Sequence, residues 1–174
     1  MKKWIERLIP IVVLALLFSL VPAPAFAINT ADVTVNATPE YLSISVSPTT
    51  YAFGFVAESA TPSTTTSYFT ITNGSSVATN NTVSVTSATW TGGTPWTHSD
   101  TATPNADTVG LKANKGGTWG TGDVIVKFTS SLSLAASQAA TTDWSFGLKL
   151  LAPTSFSDGA LKTNTVRITA TKQT

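Results

Sequence analysis

Apolar and polar residues alternate with a period of two along most of the chain. Leu42, Ile44 and Val46 alternate with serines, and Phe69 and Ile71 alternate with threonines. Successive side chains of a β-strand point to opposite faces, so this spacing predicts strands with one buried face. The pattern predicts about eight or nine strands in total. They centre on Val33 and Val35, residues 42–46, Phe53 and Phe55, residues 69–72, Val83 and Val85, Val109 and Leu111, residues 124–128, residues 144–150 and residues 166–170.

Short runs of Gly, Pro, Asn, Ser and Thr separate these candidate strands. Residues 73–76, residues 91–95 and the pair Gly116 and Gly117 have the residue types that tight turns require. No segment after residue 27 shows a clear helical stripe, although residues 132–140 contain good helix formers and are compatible with a single turn or a strand. Without crossover helices, two antiparallel sheets packed face to face are the simplest architecture. The sequence therefore predicts an all-β, immunoglobulin-like antiparallel β-sandwich.

The first 27 residues have the three parts of a secretory signal peptide. Lys2 and Lys3 begin a basic region, an apolar run covers residues 8–21, and residues 25–27 form an Ala-Phe-Ala cleavage pattern. The apolar run is shorter than the roughly 20 residues that span a bilayer, which favours cleavage over an uncleaved membrane anchor. We therefore expect one mature domain, residues 28–174, that is secreted or located at the cell surface. The membrane would be contacted only through the signal peptide before cleavage.

The composition narrows the chemistry open to this domain. The chain has no Cys, one His and one Met, so thiol catalysis, disulfide bonds and Cys-based metal sites are excluded. Charged residues make up 11% of the chain, and removal of residues 1–27 would leave about one net negative charge. This balance gives no electrostatic reason to expect nucleic acid as a partner. The sequence also contains no cofactor-binding motif, and we predict no cofactor.

The search for catalytic residues identifies only His98, which lies two positions before Asp100. Nucleophilic catalysis also needs a converging nucleophile, and Ser and Thr are too frequent here for any one of them to be singled out. The acidic residues are scattered singly along the chain, without a recognisable pair of the kind that glycosidases use. We therefore predict that the protein is not an enzyme and that His98 is a loop residue.

One loop offers oxygen ligands of the kind that Ca²⁺ prefers. Asp100, Asn105 and Asp107 lie within residues 98–109, and loops of surface β-sandwiches are a common place for calcium. The spacing lacks the dense Asp-x-Asp-x-Asp-Gly order of a dedicated calcium loop. We predict no bound metal and keep calcium at these three residues as a secondary hypothesis.

Residues 47–75 contain a pattern that is found in a known family. Phe53, Gly54 and Val56 form a Phe-Gly-x-Val motif, a stretch rich in Pro, Ser and Thr follows, and residues 69–74 read Phe-Thr-Ile-Thr-Asn-Gly. This pattern resembles the immunoglobulin-like surface domains of the ASPM–SPD-2–Hydin type, in which the two motifs lie on strands that pair through the core. The layout of an expected leader and a lone Thr-rich sandwich also resembles camelysin-like biofilm fibre subunits. Both resemblances imply a structural or adhesive module without catalytic residues.

Two candidate strands near the chain ends carry few charges. Asp32 is the only charged residue in residues 28–36, and Arg167 is the only one in residues 164–171. Soluble proteins usually protect edge strands with charges, Pro or bulges, so these strands favour self-association or binding to other surface proteins. Ile28, Val33 and Val35 would be the apolar positions of a donated strand. We predict an exported structural or adhesive surface protein, assembled into a filament or surface layer by β-strand addition.

A secreted carbohydrate-binding module is the alternative function. Trp90, Trp96 and Trp119 lie in or beside Gly- and Thr-rich turns, whereas Trp144 alternates with Phe146 and is predicted to lie in the core. Exposed, coplanar indole rings would stack on sugar rings and make glycans the partners. If the rings instead close the ends of the sandwich, they are structural. The position of the three rings in the fold distinguishes these two interpretations.

Overall fold

The computed structural model describes residues 32–174, and the chain divides after Thr38 into two units. The predicted signal peptide at residues 1–27 and the predicted assembly residue Ile28 lie outside the described residues. In the first unit, residues 32–38 are exposed and contain no strand. The second unit, Pro39–Thr174, contains ten β-strands and no helix. Within residues 32–174, no helix is long and apolar enough to cross a membrane.

The strands follow the period-two alternation closely where that pattern is long. In the third strand, residues alternate between buried and half-buried along its whole length, with Val83 and Val85 on the buried face. The bounds of the ten strands are β1 Ile44–Ser47, β2 Phe69–Asn73, β3 Thr79–Val85, β4 Thr89–Trp90, β5 Trp96–Ser99, β6 Thr108–Asn114, β7 Asp123–Ile125, β8 Leu132–Gln138, β9 Asp143–Leu151 and β10 Val166–Lys172.

Seven strands form the larger sheet, in the order β1-β2-β9-β6-β5-β4, with β7 also paired to β6. All strand pairs of this sheet are antiparallel except one. β5 and β6 run parallel over three residue pairs, of which the first joins Thr97 to Thr108 and the last joins Ser99 to Gly110. The prediction of a purely antiparallel architecture is therefore wrong at this pair. A paired length of about 10 Å is short enough for the loop of residues 100–107 to return the chain without a crossover helix.

The smaller sheet has three antiparallel strands in the order β10-β3-β8. Side chains from both sheets form one buried cluster, to which the larger sheet contributes Ile71, Leu111 and Leu150 and the smaller sheet contributes Val83 and Leu134. Burial of apolar side chains between sheets is the main source of stability in this kind of fold. The prediction of an all-β sandwich is confirmed. Trp144 is half-buried and packs against this cluster.

Two predicted strands are absent from the described residues. Residues 32–36, which include Val33 and Val35, form no strand. The run around Phe53 and Phe55 also forms none, because Gly54 has a φ of 72° and interrupts the extended backbone. Phe53 packs against the core, whereas Phe55 is fully exposed, so the prediction that both rings are buried is wrong for Phe55.

β4 forms one edge of the larger sheet, and residues 158–165 lie along that edge. Thr91, directly after β4, exchanges two backbone hydrogen bonds of 2.9 Å with Thr163. The side-chain amide of Asn164 donates to the carbonyl oxygen of Ser87 at 2.9 Å. The chain therefore covers the β4 edge with its own loop.

Candidate assembly interface

His98 lies on β5 in the buried interior of the sandwich, so the prediction that it is a loop residue is wrong. Its Nε2 lies 2.7 Å from the carbonyl oxygen of Val126, and the indole Nε1 of Trp90 donates to its Nδ1 at 3.4 Å. A neutral imidazole with its proton on Nε2 satisfies both contacts. Oδ1 of Asp100 lies 3.9 Å from Nε2, and His98 is only 7% exposed. The ring therefore holds neighbouring segments together, and both of its nitrogens are engaged.

Asp100 and Asp107 each fix a loop through hydrogen bonds. Asp100 accepts from the backbone N–H groups of Phe128 at 2.6 Å and Thr129 at 3.0 Å. Burial acts to raise the pKa of Asp100, but the hydrogen bonds from Thr129 and Phe128 outweigh it and hold the pKa below the ordinary value. Asp107 accepts from the hydroxyl and the backbone N–H of Ser157, and these two bonds lower its pKa.

The three side chains considered for calcium are engaged by different segments of the chain. Asp100 binds Thr129, Asp107 binds Ser157, and Oδ1 of Asn105 accepts the backbone N–H of Ala106 at 2.9 Å. Among residues 32–174, no group of three His, Cys, Asp or Glu side chains is placed to hold a metal ion. The observed hydrogen bonds of Asp100, Asn105 and Asp107 fix the backbone of the loops around them.

Two of the three tryptophans considered for sugar binding are buried. Trp90 and Trp96 face each other across the hairpin of β4 and β5, and each is 8% exposed. The ring of Trp96 also stacks on Phe156 with 5.2 Å between the ring centroids. A buried ring offers no free face to a sugar, so Trp90 and Trp96 do not form the platform that the carbohydrate-binding alternative needs.

Trp119 is half-buried and is held from two sides. Its Nε1 donates to the carbonyl oxygen of Thr64 at 3.2 Å. Nζ of Lys149 lies 4.5 Å from the ring centroid, within the range of a cation–π contact. These contacts fix the ring against the sandwich and occupy one of its faces. Nothing in the positions of Trp90, Trp96 and Trp119 favours a shared stacking surface.

The first described residues form an exposed segment with alternating apolar side chains. Val33 is 84% exposed and Val35 is 86% exposed, with Thr34 between them. The segment has no partner strand among residues 32–174. Its apolar side chains are therefore available to pack against another surface.

β1 and β10 are edge strands with unpaired backbone groups on their free sides. β1 pairs only with β2, and β10 pairs only with β3. In an antiparallel pair, alternate residues direct their backbone groups toward the partner strand. The carbonyl of Tyr41 accepts from Ser76 on the β2 side, and that of Thr165 accepts from Thr86 on the β3 side. By this alternation, the even-numbered residues of β1 and β10 direct their N–H and C=O groups away from β2 and β3.

A cleft of about 250 Å³ lies between these two edges. Its lining consists of Leu42, Ser43, Ile44, Ile168, Thr169 and Ala170. The side chains of Ile44 and Ile168 reach the core, and Leu42 is 50% exposed. At one end, the ammonium group of Lys172 contacts the carboxylate of Glu40. The two sheets therefore meet across an apolar gap that no strand of residues 32–174 fills.

Sequence reasoning found one wall of this cleft and missed the other. The lightly charged edge strand predicted near the C-terminus corresponds to β10, whereas the prediction from the sequence does not include β1 as an edge strand. A signal for β1 exists, because residues 42–47 contain no charged residue and no Pro. Both features are unusual for an exposed edge strand.

The described residues thus define an all-β sandwich with an open cleft between two edge strands. Comparison of the chain with protein-family models, with curated proteins and with solved structures found no match. The resemblance of residues 47–75 to ASPM–SPD-2–Hydin-type domains stays a prediction from the sequence.

Proposed function

We propose that this chain is an exported structural or adhesive surface protein whose copies join by β-strand addition into filaments or a surface layer. One observation carries the proposal. The same chain has an exposed, alternating apolar segment at residues 32–37 and an unfilled apolar cleft between two free strand edges. In strand addition, backbone hydrogen bonds supply affinity and alternate side chains supply specificity. A head-to-tail interface of this kind produces an open filament.

The proposed location, outside the cytoplasm, is supported by the sequence of residues 1–27. Cleavage after Ala27 would make residues 28–36 the N-terminal segment of the mature chain. The first residues of a domain are usually poorly ordered unless they are docked, so such a segment is free to reach a neighbouring molecule. Mass spectrometry of protein recovered from the cell exterior should give a chain that begins at Ile28. A recovered mass that includes residues 1–27 would contradict the proposed processing.

The proposed role is structural rather than catalytic. His98 is committed to Trp90 and Val126, and Asp100 fixes the backbone after β7. These contacts account for the residues that sequence reasoning had considered for acid–base chemistry. The proposed partners are further copies of this chain, or other surface proteins that offer a free strand edge.

Negative-stain electron microscopy of the mature chain, residues 28–174, tests the proposal directly. Fibres or sheets are expected, and their abundance should rise with protein concentration. A chain of residues 37–174 should give separate particles, because it lacks the donated segment. Residues 32–36 are exposed and lie outside both sheets, so this shortened chain should keep its urea unfolding midpoint.

Paired substitutions within the segment provide a matched control. Val33→Ser together with Val35→Ser removes the apolar positions and should abolish assembly. Thr34→Ala together with Asn36→Ala changes the opposite face and should leave assembly intact. Assembly by the chain of residues 37–174, or equal assembly by both double variants, would overturn the proposal.

A further inference from the structure

We infer that the cleft between β1 and β10 is an acceptor site and that its occupant is residues 32–37 of a second copy of this chain. The inference rests on the proposed function and adds the position and direction of the donated strand. The cleft is apolar where Leu42, Ile44, Ile168 and Ala170 line it. An incoming strand must therefore present apolar side chains on one face.

Both walls of the cleft offer backbone partners to such a strand. On β1, Ile44 and Val46 direct their N–H and C=O groups toward the free edge. On β10, the N–H and C=O groups of Ile168 and Ala170 also point toward the free edge. Both statements follow from the alternating pairing of the neighbouring residues with β2 and β3. The same four residues direct their side chains toward the core side of their sheets. A strand at this edge would satisfy the backbone groups and cover the apolar side chains together.

The spacing of the apolar residues in the segment matches that of the cleft. Val33 and Val35 lie two positions apart, about 6.6 Å in an extended strand. Leu42 and Ile44 have the same separation on one wall, as do Ile168 and Ala170 on the other. Both valines of the second copy can therefore lie in the cleft while Thr34 faces solvent.

The Glu40–Lys172 ion pair shows how the walls are oriented. Glu40 precedes β1 and Lys172 is the last residue of β10, so the start of β1 lies beside the end of β10. The two strands therefore run in opposite directions along the cleft. A strand inserted between them is antiparallel to one wall and parallel to the other.

Charge selects one of the two directions. Arg167 is exposed near the start of β10 and forms no ion pair among residues 32–174, whereas Lys172 at the other end is paired with Glu40. A strand that runs antiparallel to β1 brings Asp32 next to Arg167. The reverse direction brings Asp32 next to the Glu40 carboxylate. The inserted strand is therefore antiparallel to β1, with Val35 opposite Leu42.

Disulfide cross-linking tests this arrangement cleanly because the chain has no cysteine of its own. Mature Val35→Cys protein is mixed with mature Leu42→Cys protein under mild oxidation, so that any mixed dimer joins two copies. Both positions are at least half exposed, and the urea midpoint of each variant checks that it folds. Docking raises the local concentration of the two thiols. The Val35→Cys and Leu42→Cys mixture should therefore form its mixed dimer roughly tenfold or more faster than a mixture of Val35→Cys with Leu161→Cys, the exposed control.

Two further measurements separate the inference from the proposed function. Val33→Cys mixed with Leu42→Cys should cross-link weakly, and dominance of this pair would overturn the direction. A second outcome is that the unsubstituted chain forms fibres, but Leu42→Cys cross-links to the two valine variants no faster than Leu161→Cys does. The acceptor site would then be wrong, and the proposed function would stand. If the unsubstituted chain forms no fibres at any concentration, the proposed function itself fails.

Discussion

The two edge strands of the larger sheet, β1 and β4, differ in whether the chain itself covers their free sides. At β4, the loop of residues 158–165 adds backbone hydrogen bonds along the edge, and the almost fully buried side chain of Lys162 donates to the carbonyl of Gly92 at 2.6 Å. At β1, no described segment lies along the free side, and the edge opens on an apolar cleft. One edge is therefore closed by the chain itself, and the other is left unpaired.

This difference supports the proposal that the open edge is used in assembly. An unpaired strand edge promotes aggregation, and proteins usually protect it. The chain does protect β4, so its sequence can supply a covering loop where one is needed. β1 and β10 receive no such cover and also lack charged or Pro residues at the positions that line the cleft. We therefore expect changes at the covered edge to affect folding, and changes at the open edge to affect assembly.

The largest effect on stability should come from forcing the covering loop away from β4. Gly92 has a φ of 120°, and a Cβ there would collide with the carbonyl oxygen of Leu161. Gly92→Ala should lower the free energy of unfolding by about 3 kcal/mol or more, because backbone strain and overpacking add.

Gly54→Ala is the matched control for that substitution. Gly54 also has a positive φ, 72°, but a Cβ there would meet open space. Gly54→Ala should lower the free energy of unfolding by about 1 kcal/mol, because only backbone strain opposes it. Urea unfolding followed by tryptophan fluorescence measures both variants. Equal losses at Gly92 and Gly54 would show that the loop does not press against the β4 edge.

A smaller loss is expected when the side-chain clamp on the same edge is removed. Asn164 donates to the carbonyl oxygens of Ser87 at 2.9 Å and Thr89 at 3.4 Å. Asn164→Ala should lower the free energy of unfolding by about 1–2 kcal/mol, because the partly buried carbonyl of Ser87 loses its donor. On the open edge, Thr171→Ala removes only one long contact to Asn80 and should cost less than about 0.5 kcal/mol. Urea midpoints in the reverse order would contradict this comparison of the edges.

The long alternating runs of the sequence predicted the core strands well. β2, β3, β9 and β10 appear where apolar side chains repeat every second residue, because this period places them all on one face. The pattern wrongly predicted a strand at Phe53 and Phe55, because Gly54 between them has a positive φ that breaks the extended backbone. It also gave no warning of β5, because Trp96 follows a Gly- and Pro-rich turn directly.

The candidate site could be predicted only in part. The scarcity of charges in residues 28–36 and in β10 is a local feature, and it was sufficient to suggest strand addition. The cleft itself depends on β1 and β10 lying side by side, although they are near opposite ends of the described chain. No local pattern encodes that long-range proximity. The burial of Trp90 and Trp96 was likewise undetermined, since it depends on tertiary contacts such as the one with Phe156.

The covered edge should also weaken in acid. Hydrogen bonds from Lys162 and then from the backbone of Thr94 hold the pKa of the Asp158 carboxyl well below its usual range. A carboxyl whose pKa is lower in the folded state stabilises the fold above the unfolded value of about 3.9. That contribution is lost as the pH falls from this value through the folded pKa. Asp107 shifts in the same direction because of Ser157, so a single substitution removes only part of the acid sensitivity.

Urea midpoints at about pH 7 and about pH 3 should show this loss. The decrease between the two should be smaller in Asp158→Asn than in the unsubstituted chain, because the amide does not titrate. Asp107→Asn should reduce the decrease as well. An identical decrease in Asp158→Asn and the unsubstituted chain would show that the lowered pKa does not stabilise the covered edge.

A small effect is also expected from the ion pair that closes one end of the cleft. The side chain of Lys172 is 48% exposed and that of Glu40 is 60% exposed, so water and salt screen their attraction. Glu40→Gln should lower the free energy of unfolding by less than about 1 kcal/mol, the usual limit for an exposed pair. Asp158→Asn at neutral pH is the matched comparison, because it leaves the buried ammonium group of Lys162 without its anion and should cost more. An equal loss of unfolding free energy in Glu40→Gln and Asp158→Asn would contradict this comparison. The Glu40–Lys172 pair would then stabilise the fold as much as the ion pair at the β4 edge does. An incoming strand would have to break a structural contact rather than enter an open site.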